Sequence, residues 1–481
     1  MSAFEKIKPY RYQLILTLLA YLGCGLFAFR SQSIGACLLE FEIQIQEPFS
    51  VTSRVFGAYA IGYTSGAFLF GLIERLIDVK IVLTLACIFP GIAIGSMAFM
   101  RSFIPLASTA LFLGVGNSVY ELACHVLLIN VWSEKVGNFI QILHMSYGVG
   151  SMLAPLLIRF FLLPIPKDAG DDKDAARNFY SPDDVQIKYP FVTTCALSII
   201  VGFGFGYSYL KRAQNTKNPD SDPKKTGDSS SDHHQKVDDQ PSNLKICIAV
   251  IWVAILAHLA FSMQLTLCSF AQAFGVKHSF NMKKKSAALL SSLFWAFYVI
   301  SKLIFVILSM TIGQTEIVNL CYGLTAVSLA LLLALASQFE ICLWLAFGLL
   351  GLGYSPLFAV AYASLEKYFH VTGRQTSFIF LAGGIGESLH TTMVGTFMDD
   401  NPPFFLHYVG TLGTIFLIMV VALPYLCRFL FGDPDERKFE EQATKIRTTR
   451  LSSIALPPPG LFRGSLIDSS PPNIFPRDST A

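Results

Sequence analysis

Residues Gly114 to Pro155 read GVGNSVYELACHVLLINVWSEKVGNFIQILHMSYGVGSMLAP, and this stretch decides how the rest of the chain is taken. Its apolar runs predict the end of one membrane-spanning helix, a short charged turn at Ser133 to Lys135 and most of a second helix. Asn117, Glu121 and His125 recur every fourth residue, so they share one helical face at membrane depth. An ionisable group at that depth costs about 2.5–3.5 kcal/mol, so it is expected to face a water-filled cavity or a partner. Gln141, His144 and Ser151 make a similar stripe on the second helix.

The composition around this stretch belongs to a polytopic membrane protein: 481 residues, 53% hydrophobic and only 14% charged, with 41 Phe. Runs that reach the ~20 residues of a crossing lie near 14–38, 55–77, 81–100, 103–129, 139–163 and 190–210. Six more lie near 246–270, 288–310, 316–337, 341–364, 376–397 and 405–429. The first run lacks a small-residue cleavage site and is expected to act as the first span. Lys and Arg favour the segments that a topology with both termini cytoplasmic keeps inside, although Lys283 to Lys285 count the other way. A net charge of +3, scattered along the chain, gives no footprint for nucleic acid. All ten Cys fall in or beside apolar runs and read as small packing residues, and no Asn-x-Ser/Thr acceptor occurs. Neither a zinc-type HExxH nor a phosphate-cradling GxxxxGK[ST] is present, so no catalysis, cofactor or metal site is expected.

Residues 211–244 break the apolar pattern with Lys, Asp, Ser and Pro, and predict a disordered cytoplasmic linker between six-helix bundles at 1–210 and 245–429. Residues 430–481 predict a disordered cytoplasmic tail. The bundles are related by an internal repeat. Gly114-Val-Gly116-Asn-Ser118 recurs as Gly351-Leu-Gly353-Tyr-Ser355, an offset of 237 from Gly116 to Gly353. Gly148-Val-Gly150 recurs as Gly384-Ile-Gly386, an offset of 236 from Gly150 to Gly386. One Gly pair in a membrane helix signals close packing, but two pairs at a shared offset predict duplicated halves, the build of secondary transporters with a midplane site. The expected fold class is an all-α membrane protein of twelve transmembrane helices in two six-helix bundles.

This six-plus-six chain resembles the major facilitator superfamily. The turn Gly71-Leu-Ile-Glu74-Arg75-Leu-Ile-Asp78-Val-Lys80 is similar to its acidic-basic gating signature, with Glu74 for the common Asp. Glu121, the NVW of Asn130 to Trp132, QILHMSYGVGSMLAPLL in the fifth run, AGGIGESLHTTMVG in the eleventh, and Ile34-Gly35 to Leu39-Glu40 are similar to the sodium-dependent glucose transporter family and its fucose-permease-like relatives. The resemblance implies alternating-access symport of a sugar, glucose- or fucose-like, with a coupling ion, H+ or Na+. It sets Glu121 where fucose-permease-like carriers have a membrane acid implicated in proton coupling, and matches Gln141, His144 and Glu387 to polar positions of the family. The sodium-dependent carriers have Asp and a Gly-Gly-Asn run where this chain has Glu121, Ala123, Cys124 and His125, a departure that favours the proton.

Together these readings name Arg30, Asn117, Gln141, His144, His258 and Tyr354 as candidate substrate-binding residues, and Glu121, His125 and Glu387 as candidate ion-coupling residues. Arg30 is the expected partner of Glu121, since a cation at that depth also needs an acid or carbonyls; the plainer reading of such a pair is an interhelical tie. The stripe His258, Ser262, Thr266 and Ser269 offers hydroxyls to a sugar, or returns them to its own backbone. Tyr354, Phe358 and Tyr362 form either a stacking wall or ordinary packing, and Pro356 is expected to bend their helix. Lys302 and Arg159 read as side chains reaching for an interface. Two other functions fit: an organic-anion carrier using Arg30 as counter-charge, or a non-transporting receptor or sensor on the same fold. The expected location is an integral, multi-pass place in the plasma membrane.

Overall fold

The computed structural model describes residues 10–133, 136–166, 175–217, 242–308, 313–369 and 371–433. Most of the predicted linker, nearly all of the predicted tail, and Glu134 and Lys135 of the charged turn lie outside them. The chain divides into a compact unit, Met1–Leu430, and a second unit, Phe431–Ala481. The helices in order are α1 Arg11–Ala36, α2 Leu38–Ile45, α3 Phe49–Thr52, α4 Val55–Ile73, α5 Val79–Met97, α6 Phe103–Trp132, α7 Val136–Ile158 and α8 Ala175–Phe179. They continue with α9 Lys188–Lys217, α10 Asn243–Lys277, α11 Lys284–Leu308, α12 Gln314–Ala334, α13 Glu340–Tyr354, α14 Leu357–Leu365, α15 Gly373–Phe397 and α16 Pro403–Phe431.

Eleven helical segments among the described residues are long and apolar enough to cross a membrane, α13 and α14 acting as one. The twelfth expected span is α15, 25 residues long but interrupted by Glu387, Ser388, His390, Thr391 and Thr392. A helix this polar is tolerated at membrane depth when its polar face is turned to protein or water rather than lipid. Local chemistry sets several boundaries. The Asp78 side chain accepts from Lys80 N and starts α5, so the gating-like turn also works as a helix cap. Thr372 and Gln375 cap α15 reciprocally. Pro356 does more than bend its helix: it separates α13 from α14, since it can offer no N–H to the ladder.

Arg11, where α1 begins, and the chain leaving α9 mark one end of the bundle, the terminal face; the opposite ends of these helices mark the far face. At the far face the span boundaries read from hydropathy are too short. α10 continues to Lys277 instead of ending near 270, and residues 38–45 form α2, all eight of them buried, where a loop was expected. These segments carry charges that hydropathy counts against burial, but each charge has a partner across the molecule.

The glycine repeat is a packing repeat. A Cβ on Gly114 would strike the Tyr59 carbonyl of α4, and one on Gly351 the Phe294 carbonyl of α11, the second span of each half. Gly116 meets Pro90 of α5 and Gly353 meets Thr325 of α12, the third spans. Gly150 rests on Gly25 of α1, and Gly386 on His258 of α10. The same symmetry continues across the middle of the molecule, where Gly148 of α7 touches Val299 of α11 and Gly384 of α15 faces Thr64 of α4. Thus α7–α11 and α4–α15, together with α1–α10, form the seam between halves.

Candidate functional site

Glu121, midway along α6, is half-buried and accepts a hydrogen bond from the Tyr63 hydroxyl of α4. Its own backbone carbonyl holds His125 one turn on, at 2.8 Å from Nδ1, which fixes that nitrogen as the donor. His125 faces His144 of α7 at a ring separation of 5.6 Å. Lys302 of α11 lies over the Tyr298 ring at 4.9 Å and acts electrostatically on His144. Arg159 stands over Phe160 in the turn that follows α7, at the far face.

Glu387 of α15 belongs to the other half and is also half-buried. Gly384, three residues before it, faces Thr64 of α4, next to the Tyr63 that bonds Glu121. The two acids thus share one region of the seam. Around it lie groups the sequence did not single out. Gln32 of α1 is buried beside it, and Tyr147 meets Phe27 at 5.1 Å and Trp295 of α11 at 5.6 Å. Trp295 is fully buried, and its indole N–H has no hydrogen-bond partner.

Arg30 does not pair with Glu121. Its Nε and Nη2 donate to Asn117 Oδ1 at 3.1 and 2.9 Å, and Nη1 donates to Ser198 Oγ of α9 at 2.9 Å. Asn117 Nδ2 in turn donates to the Tyr59 hydroxyl at 3.2 Å, which donates to Ser31 Oγ. Arg30 and Asn117 are wholly buried inside the first half. Ser198 decides this: α9 lies outside the seam, and a planar guanidinium spanning α6 and α9 cannot also reach the carboxyl one turn along α6. Tyr354 is likewise committed, donating to the Ala260 carbonyl at 2.6 Å and packing on Phe416, with 3% of its surface exposed. Its position matches Asn117 under the repeat, so both join the fourth span of a half to its neighbours. Gln141 is exposed on α7. In the α10 stripe, Ser262 donates to the His258 carbonyl, the self-bonded alternative, while Thr266 and Ser269 are buried and the Thr266 hydroxyl has no hydrogen-bond partner. His258 itself meets His390.

At the far face two ion pairs cross the seam. Lys284 Nζ lies 2.7 Å from Glu40 Oε1, with side chains 2% and 0% exposed. Lys277 Nζ lies 3.4 Å from Glu42 and 2.9 Å from Asp399. Lys277 also stands over the Phe49 ring, and Phe49 and Phe56 pack on Phe270 of α10. These contacts close the far face, and they explain Lys284: a lysine that counted against the expected topology is buried by an acid. A hollow among the far-face loops, between Leu163, Phe179 and Tyr189, holds none of the candidate residues.

Known proteins share the family and the fold of this chain. The family model described as Major Facilitator Superfamily matches residues 15–277 and again 250–467. The human protein named sodium-dependent glucose transporter 1 is 21% identical over 452 residues, covering 91% of this chain and 83% of its own. A D-xylose-proton symporter superposes with a TM-score of 0.64 at 12% identity, over 88% of this chain and 99% of that one. A nucleoside transporter also superposes, with a TM-score of 0.54 at 13% identity, over 88% and 100% of the two chains.

Proposed function

Because the chain belongs to the Major Facilitator Superfamily, we propose that this integral, multi-pass membrane transporter carries a small neutral solute of the sugar class by alternating access, and that proton binding at Glu121 drives it. The observation that carries the proposal is the company Glu121 keeps. It has a tyrosine hydroxyl and, across the seam, a second acid, while Arg30 is held by Asn117 and Ser198. An acid at membrane depth without a cation is cheapest when protonated, and it releases the proton when water reaches it. Glu387 is an acid of the second half, at the position that Ser151 holds in the first. His125 and His144 extend the same polar stripe to the terminal face.

The relatives' names divide on the ion, one naming sodium and the other a proton. A sodium site asks for several hard oxygen ligands, and an imidazole beside Glu121 is a poor one. Gln32, Tyr147 and the ring of Trp295 offer the mixture of amide, hydroxyl and aromatic surface that suits a sugar's hydroxyls and ring faces. Arg30, wholly buried, weighs against an organic anion, since its donors are already engaged. In this reading the terminal face is cytoplasmic and the membrane is the plasma membrane.

Uptake of labelled sugars into proteoliposomes under imposed gradients tests the proposal. Wild type is expected to accumulate a sugar under a proton gradient, and Glu121→Gln to lose accumulation while still exchanging the sugar, because exchange needs no net proton release. Uptake that follows a sodium gradient at constant pH, or accumulation by Glu121→Gln equal to wild type, overturns it.

A further inference from the structure

His258 on α10 and His390 on α15 face one another with their Nε2 atoms 3.0 Å apart. Their other nitrogens are engaged as well: His258 Nδ1 lies 3.0 Å from the Ala382 carbonyl oxygen, and His390 Nδ1 lies 2.6 Å from the Tyr408 hydroxyl of α16. A carbonyl only accepts, so His258 Nδ1 carries the proton and its Nε2 offers a lone pair. His390 fills that lone pair with Nε2–H. Its bare Nδ1 then accepts from the Tyr408 O–H. Every ring nitrogen is partnered while both rings are neutral.

The Tyr408 hydroxyl has a second acceptor at hand, Met393 Sδ at 3.3 Å. If His390 Nδ1 gains a proton, the hydroxyl turns its hydrogen toward the sulfur and accepts from the new N–H. One proton enters and every ring nitrogen stays hydrogen-bonded. A second would place N–H against N–H between two cations 3.0 Å apart, and has no such accommodation.

We propose that His258, His390 and Tyr408 form a binding site for a single proton in the second half, distinct from Glu121, which ties α10, α15 and α16 together. Among the described residues neither histidine is in an ion pair with a charged side chain. On α15, the nearest carboxyl along the helix is Glu387, one turn before His390. On α4, Tyr63 bonds Glu121 and Tyr59 bonds Ser31. On α1, Arg30 is held by Asn117; on α11, Lys302 lies over Tyr298; on α14, Tyr362 bonds Thr376. Only its use in transport rests on the proton-coupled reading above.

A difference titration tests the site without solute or gradient. The full-length protein in detergent is titrated from about pH 8 to about pH 4, across the ordinary imidazole range, and compared with a His258→Asn/His390→Asn variant. The wild type is expected to take up one proton more than the variant. Two more would mean that the rings titrate independently, none that the pair is inert, and either overturns the proposal. Tyr408→Phe removes the switching hydroxyl and is expected to move that uptake to lower pH; unchanged uptake overturns the role given to Tyr408. Should the double variant fail to fold, spectra of 15N-histidine wild-type protein read the same number, with one ring of the two charged at low pH expected, and both or neither decisive against. This outcome is independent of whether Glu121→Gln still accumulates a sugar.

Discussion

Arg30 illustrates how much of a residue's meaning lies in its partners. A guanidinium at membrane depth is costly unless its donors are met, and Asn117 meets two of them with a single oxygen. Removing that oxygen leaves a buried cation with unpaired N–H groups, a loss of about 3 kcal/mol. Asn117→Ala is therefore expected to lower the melting temperature of the detergent-purified protein markedly, whereas Asn117→Asp, which keeps the acceptor, is expected to preserve it. Equal melting of Asn117→Ala and wild type would show that Arg30 is satisfied elsewhere. Glu121 is met differently, by the neutral hydroxyl of Tyr63.

Among the helices, the distance of approach is set by glycine. α1 and α7 meet at Gly25 and Gly150, and α10 and α15 meet at His258 and Gly386, with backbone against backbone. A side chain there must push two spans apart, and such overpacking costs about 1–3 kcal/mol where the backbone can yield and more where it cannot. Gly150→Val and Gly386→Val are expected to cut the yield of monodisperse protein on size-exclusion chromatography sharply. Gly71→Val is the control, since nothing lies within 4 Å of a Cβ at Gly71. Comparable loss in all three would mean that helix propensity, not interhelical packing, is being read.

For the whole molecule the decisive feature is the asymmetric distribution of charge along the seam. Glu40 and Lys284 stabilise closure of the far face only while they are together; either alone is a buried unpaired charge, a cost of about 3–5 kcal/mol. Lys284→Met is thus expected to shift the population toward an open far face, each ~1.4 kcal/mol counting tenfold. A cysteine placed at Gln272, which is 2% exposed, should then react faster with an impermeant thiol reagent added from the far-face side of sealed vesicles. Glu40→Gln in the same protein should restore slow labelling, because the lone charge is gone. Labelling of Lys284→Met at the wild-type rate would remove the pair from gating.

The sequence by itself determined the membrane class, the twelve spans, the two related halves and the two intramembrane acids. Hydropathy, helical period and glycine spacing are local properties, and lipid leaves the backbone no option but helix. The tertiary structure alone decided the pairing. Arg30 and Asn117 are 87 positions apart, His258 and His390 132, and Glu40 and Lys284 244. Periodicity states which residues share a face but not what that face meets, so Arg30 was matched to Glu121, the acid expected at the same depth, and Lys284 was taken for a loop charge. The same limit hid Tyr63: a tyrosine in an apolar helix gives no local sign that its hydroxyl meets a carboxyl from another span. Charges and hydroxyls at membrane depth are placed by whichever helix offers a partner, and that choice is made only when the helices pack.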